Sequence, residues 1–323
     1  MIPSLHLFAP QPMHIPDGFL SVAVSLLMWA ASVLVIGYAL KRVNRELGER
    51  QVPLMGVLAA AIFAGQMLNF AVAGGTSGHL MGVALATILL GPWPAVIVMT
   101  VVVGVQALIF QDGGLLALGA NLFNMGIVGV TVSYFVYRSL RRVFGQARWG
   151  VLAAGGAAAW ASIFIAALAV ALQLALSGTS PANLAIPAMA GIHAVIGLGE
   201  ALITVGALAL IKATRGDLLA EETAGAGSST ALWVGGLVIA LGLAVASPLA
   251  SAHPDGLEWV AEQKGFLGLA QGPAYQLAPD YLVPGIANTT LATILAGVLG
   301  VLIVLGVSVG LAYARRRKPV TNE

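Results

Sequence analysis

The chain contains no cysteine. That excludes disulfides, thiolate zinc sites and iron–sulfur clusters, so any metal must be held by nitrogen, oxygen or thioether donors. Charge is scarce too: 9% of the 323 residues are Asp, Glu, Lys or Arg, against about 25% in an ordinary soluble domain. So few charges cannot clothe a water-facing surface, and lipid must cover most of it. No basic run is interleaved with aromatics, which argues against a nucleic-acid partner. No G-x-x-x-x-G-K-[ST] occurs, so the chain has no P-loop with which to hydrolyse ATP. H-E-x-x-H is missing, as is a ring of like charge or a repeated filter motif. Those gaps weigh against the two alternatives, a membrane-embedded metalloenzyme and an ion channel.

What the chain does have is apolar residues, 59% of the total, and 40 glycines. Its mean hydropathy is +0.94. Small residues in that number suit membrane helices whose backbones approach closely. A spanning helix needs about 20 mostly apolar residues. Nine segments come near this, at 19–40, 53–73, 79–91, 94–110, 114–137, 149–176, 184–211, 231–250 and 289–313. The expected fold is therefore all-α, a polytopic transmembrane bundle with about seven helices in a main body and two in a C-terminal module. The third and fourth segments are short and parted by Gly91-Pro92-Trp93-Pro94, which breaks any helix. They read as two short spans or as one re-entrant hairpin.

The basic residues test this map. Lys41, Arg42, Arg45 and Arg50 follow the first segment; Arg138, Arg141, Arg142 and Arg148 follow the fifth. Lys212 and Arg215 follow the seventh, and Arg315, Arg316, Arg317 and Lys318 the ninth. With the N-terminus outside, all four clusters fall inside, and of fifteen Lys and Arg only Lys264 falls outside. This is the positive-inside pattern. It predicts a multi-pass protein of the cell membrane with a cytoplasmic C-terminus. The first residues lack the basic start of a signal peptide. The polar, Gly/Ser-rich stretch 213–230 reads as a cytoplasmic linker, and residues 231–323 as a separate two-helix module with a loop outside.

Ionisable groups at membrane depth are expensive to bury and so are candidates for function. His14 and Asp17 precede the first helix, His79 lies at the outer end of the second, and Asp112 sits at the next outer turn. All fall on the side that the Lys and Arg pattern makes external. Asp17, in Pro16-Asp17-Gly18, also reads as a turn followed by a helix cap. His193 and Glu200 are two turns apart on one helix face, fit either for tuning a site or for a structural hydrogen bond. Asn69 and Asn124 add amides within helices. Nitrogen-rich ligation without thiolate suits Ni(II), Cu(II), Co(II) or Zn(II).

Five motifs now stand in order: Met13-His14-Ile15-Pro16-Asp17-Gly18-Phe19-Leu20; Gly75-Thr76-Ser77-Gly78-His79-Leu80-Met81-Gly82; Phe110-Gln111-Asp112-Gly113-Gly114; Gly119-Ala120-Asn121 with Asn124-Met125-Gly126; and Gly191-Ile192-His193 with Gly199-Glu200. Together they resemble the CbiM/NikM family, the substrate-specificity membrane component of nickel and cobalt energy-coupling-factor (ECF) ABC transporters. The resemblance covers residues 13–212. The tail, with Pro254-Asp255-Gly256-Leu257-Glu258 and Asp280-Tyr281, resembles the small N-type (PDGLE) partner, here fused.

The resemblance implies a substrate-binding permease subunit that imports Ni2+ or Co2+, with cobalt feeding cobalamin synthesis. It implies no cofactor and no enzymatic activity of its own. The partners are a membrane coupling (T/Q-type) subunit and cytoplasmic ABC ATPase subunits, in contact with lipid. In the family the ion sits in a nitrogen cage made by the N-terminal amine, the next amide, its imidazole and a later histidine. Carried over, the ligands are Met13, His14 and His79; the placement of Asn69, Asp112, Asn124, His193 and Glu200 in the sequence adds them as supporting residues behind the ligands. Met1–Pro12 depart from the pattern by preceding Met13, and the intact motif favours Met13 as the first residue.

Overall fold

A computed structural model describes residues 13–46, 51–72, 74–145, 147, 149–219 and 229–315. The extension 1–12, most of the linker, and Arg50, Arg148, Arg316, Arg317 and Lys318 lie outside the described residues. The architecture is a bundle of apolar helices. Among the described residues, seven are long and apolar enough to cross a membrane, at Val22–Val43, Pro92–Ile109, Leu118–Phe144, Gly150–Leu176, Ala182–Thr214, Thr230–Leu249 and Thr289–Ala314. Their flanks carry an apolar surface that water would not tolerate, with Leu34, Leu176 and Leu202 largely exposed. An exposed apolar surface this extensive belongs in lipid, and the protein is a multi-pass membrane protein.

The first helix, α1 (Val22–Glu46), is followed in the chain by α2 (Gln51–Gln66). At 16 residues, α2 is only about 24 Å long, short of a bilayer core of about 30 Å. It needs no lipid contact, because every residue but Gln51 and Ala61 is buried. It is wrapped by α4 (Pro92–Ile109), α9 (Ser229–Ala246) and α11 (Thr289–Arg315). Glycines make this approach possible: a methyl on Gly56 would strike Val309, and one on Gly236 would strike Val57. The C-terminal module therefore packs into the body on both sides of α2.

Two expectations need correcting here. The apolar run after α2 does not continue as helix. Residues 70–72 and 76–78 form a β-hairpin, β1 (Phe70–Val72) and β2 (Thr76–Gly78). The third segment is helical only over α3 (Val83–Leu90). Residues 79–82 are unwound, and Gly91, with Pro92 at the first position of α4, parts the two helices. Non-helical backbone is tolerated at membrane depth only where protein satisfies its polar groups. Glu200 supplies that satisfaction by accepting the amides of Met81 (2.7 Å) and Gly82 (2.9 Å).

The chain then passes a short α5 (Leu118–Asn121), a widened π-type turn (Leu122–Val128) and α6 (Gly129–Phe144). It continues through α7 (Gly150–Leu176) and α8 (Ala182–Thr214), which pack along one another. After α9 comes the loop that contains α10 (Gly256–Gln263), and then α11. At the basic end of the bundle, Tyr38 of α1 packs on Trp93 with ring centroids 5.0 Å apart. At the opposite end, a second core formed by Ile15, Phe19, Ala117, Met189, Leu257 and Phe266 supports the candidate site.

Candidate metal centre

The segment Met13–Phe19 is held at the end of the bundle by hydrogen bonds from its backbone to the Asn121 side chain of α5 and to the turn after α4. Asn121 takes the Ile15 amide on its Oδ1 (3.0 Å) and donates Nδ2 to the Ile15 carbonyl (3.1 Å), which also accepts Gly114 N–H at 3.0 Å. Glycine is required at 113 and 114. Gly113 sits at φ 94°, and a side chain there would meet His14 at 2.8 Å, while one at 114 would strike Asp17. Asp17 does not cap α1. Its Oδ1 accepts the Ala117 amide (2.9 Å), so the expected turn-and-cap becomes a clasp to the α5 approach.

Asp112 is the pivot. Gln111 before it holds a left-handed φ of 55°, a conformation that costs energy outside glycine and turns the carboxylate into the protein. Its Oδ1 accepts the backbone N–H of Met13 (2.7 Å) and of His14 (3.2 Å), and faces His14 Nδ1 at 3.2 Å. Its Oδ2 accepts the Tyr281 hydroxyl at 2.6 Å. Burial alone would raise the Asp112 carboxyl. The neighbouring His14 and the hydrogen bonds from His14, Tyr281 and Met13 outweigh it, and the group falls to about 2. Burial disfavours a charged His14 ring, but the Asp112 carboxylate more than offsets that and raises its pKa.

With Nδ1 occupied by Asp112, His14 presents Nε2, which is buried and has no hydrogen-bond partner. A carboxylate on one ring nitrogen and a free second nitrogen is the usual support of a metal-binding imidazole. His79 follows β2 and lies edge-on to His14, with ring centroids 5.9 Å apart. Its Nδ1 faces its neighbour's carbonyl, Leu80 O, at 3.1 Å. That separation is within reach of one ion bonded to a nitrogen of each ring at about 2.0–2.1 Å.

Both rings line a cavity of about 90 Å³, together with Met13, Asn124, His193 and Asp255. The structure thus gathers Met13, His14, His79 and Asp112 in one place. His193 joins them on the cavity wall, its Nδ1 on Met189 O at 2.9 Å. It makes no bond with Glu200, whose carboxylate instead props the unwound stretch beyond His79. Asn124 also lines the cavity and is fixed by a reciprocal amide pair with Gln173, 2.8 Å in each direction. Asn69 is not part of the wall: its side-chain amide is buried without a protein partner, and its carbonyl accepts Ser251 N–H at 2.8 Å.

Three contributors were not singled out in the sequence. Asn121 stands in the Gly-Ala-Asn motif three residues before Asn124, the amide that the sequence favours. Asp255 and Tyr281 come from the C-terminal module. Asp255 caps α10 by accepting Glu258 N–H at 2.7 Å. Burial raises its carboxyl to about 7. The module's loop is stitched to the body at several points. Ser77 donates its amide to Pro254 O and its hydroxyl to His253 O, both at 2.8 Å. Ala278 N–H donates to Ile109 O at 3.1 Å, and Tyr281 stacks on Phe110 with centroids 4.8 Å apart.

Comparison with known proteins shows the family to which the chain belongs. Residues 14–218 match the family model described as cobalt uptake substrate-specific transmembrane region, and residues 230–317 match the PDGLE domain. The chain is 39% identical to a fused NikMN protein of Archaeoglobus fulgidus over 94% of this chain and 99% of that one. It is 32% identical to the fused nickel transport protein NikMN of Rhodobacter capsulatus, again over 94% and 99% of the two chains. Among solved structures, a truncated transition metal transporter superposes with a TM-score of 0.56 at 37% identity, covering 62% of this chain and 98% of that one.

Proposed function

Since the chain belongs to the family of cobalt uptake substrate-specific transmembrane proteins and carries a PDGLE domain behind that region, we propose that it is the substrate-binding component of an ATP-driven energy-coupling-factor importer of Ni2+ or Co2+. The observation that carries this reading is the buried, unpartnered Nε2 of His14 opening toward His79 in a cavity of about 90 Å³. An imidazole nitrogen without a partner in a buried wall is costly unless something else binds it.

In this reading the ion is cargo. His14 and His79 take it by ring nitrogens, Asp112 orients His14 and balances charge, and His193 and Asn124 close the far wall. The backbone nitrogens of Met13 and His14 complete a nitrogen set where they are free to lose a proton. The end bearing the cavity faces outward, because the clusters at Lys41–Arg42, Arg138–Arg142 and Lys212–Arg215 then face the cytoplasm. Residues 13–212 form the ion-binding body, 213–230 the link and 231–323 the fused module. ATP is hydrolysed by separate ABC subunits, and a T/Q-type membrane subunit transmits the work. Reconstitution tests this: uptake of radiolabelled Ni2+ or Co2+ into vesicles requires the chain, its coupling subunits and ATP together. Uptake by the chain alone, dissipating a gradient without ATP, would mean a channel.

A further inference from the structure

A second hollow, of about 300 Å³, opens at the same end of the bundle. His14 and Asp255 form part of the walls of both spaces, so they make the partition between the hollow and the histidine cavity. Four carboxylates line the hollow: Asp17 from the body, and Asp255, Glu258 and Asp280 from the module. No Lys or Arg does so among the described residues. The two Pro-Asp-Gly motifs, at 16–18 and 254–256, thus each bring their aspartate to one space. The module's carboxylates are held there by the fold: Asp280 and Tyr281 adopt consecutive left-handed conformations (φ 53° and 56°), with Asp280 on the hollow and Tyr281 buried on Asp112.

One polar atom of the hollow's own wall lacks a partner: Glu258 Oε2 is shielded from solvent with no hydrogen-bond partner among the described residues, while His14, on the partition, gives its Nε2 to the histidine cavity. The hollow, at about 300 Å³, is the roomier of the two spaces, and the cavity behind the partition holds about 90 Å³.

Building on the transport reading, we propose that the hollow is an access vestibule for a hydrated divalent cation, in which the PDGLE module supplies the charge that gathers the ion and Asp255 passes it to His14. Clefts lined by one sign of charge raise association rates by about 10 to 1,000-fold, and salt weakens the effect. The vestibule therefore acts on the rate of loading, whereas the histidines set how long the ion stays.

Stopped-flow mixing of the purified full-length chain with Ni2+ or Co2+, read by competition with a metallochromic dye, tests this. Glu258→Gln with Asp280→Asn should slow association by about tenfold or more at low salt and leave dissociation within about twofold. The difference should shrink as ionic strength rises toward about 1 M, where the Debye length is about 3 Å. Asp255→Asn, which keeps a capping side chain, should slow association in the same way. Glu262→Gln, on the exposed side of α10, should change nothing. Unchanged association in the vestibule variants overturns the inference, as does a slowing that salt does not relieve. A wild-type chain that takes up no ion overturns the transport reading and this inference with it, whereas a binding wild type matched by its variants overturns the vestibule alone.

Discussion

The Tyr281 hydroxyl donates to Asp112 Oδ2 at 2.6 Å, while Oδ1 of the same carboxylate holds the backbone amides of Met13 and His14. One carboxylate thus ties the fused module to the segment that presents His14. Tyr281→Phe keeps the stack on Phe110 and removes only the hydroxyl. Partners behind metal ligands typically tune affinity about 10–100-fold, so we expect calorimetry to show Ni2+ affinity weakened within that range, with the fold intact. Wild-type affinity would mean that the bond merely fastens the loop. The bond should also persist in mild acid. A carboxylate depressed to about 2, from about 3.9 when unfolded, contributes stability that is complete above about pH 4 and is lost only as pH falls toward 2. The difference in melting temperature between variant and wild type should therefore be constant from pH 8 to pH 5.

Glu200 accepts two backbone amides where α3 has yet to begin. Gln at this position offers one carbonyl oxygen and turns an NH2 toward the second amide. Leaving a buried donor unsatisfied costs about 1–3 kcal/mol. Glu200→Gln should lower thermal stability by that order and weaken ion binding through the displaced His79. A melting curve and affinity equal to wild type would show that the unwound stretch stands without it.

His193 lines the cavity and is held by a hydrogen bond within its own helix, at Met189 O. His193→Ala should weaken Ni2+ or Co2+ binding by about 10–100-fold with unchanged circular dichroism. An affinity identical to wild type would reduce it to a wall residue.

The N-terminal nitrogen gives a further test. A free amine has a pKa near 7.7–8.0 and can give a lone pair to an ion, whereas an amide must lose a proton to do so. A form beginning at Met13 should bind Ni2+ tightly and release protons on binding. A form that retains Met1–Pro12 should bind more weakly. Both are to be checked by mass spectrometry and titrated side by side. Equal affinity would remove the Met13 nitrogen from the ligand set and leave the imidazoles as its core.

Much of this was legible beforehand, for physical reasons. Lys and Arg placement alone put His14, His79 and Asp112 on one side, because moving charge across lipid is costly, and the structure brings all three together. The break at Gly91-Pro92 was equally plain, since proline cannot continue a helix. The hairpin at 70–78 was not, because Phe70-Ala71-Val72 is an apolar run with no period to separate strand from helix. The unwound stretch before α3 was hidden for a similar reason: its stability comes from Glu200, well over a hundred residues away. Tyr281 and Asp255 belonged to a segment that read as a separate module. No local pattern tells that Tyr281 meets a carboxylate 169 residues earlier.

The most direct test of the central claim is a metal count. Equilibrium dialysis of the purified full-length chain against Ni2+ and Co2+, followed by elemental analysis, should give about one tightly held ion per chain. The His14→Ala, His79→Ala double variant, folded by circular dichroism, should hold none. An equal metal content in the two proteins would contradict the account and place the ion elsewhere in the bundle.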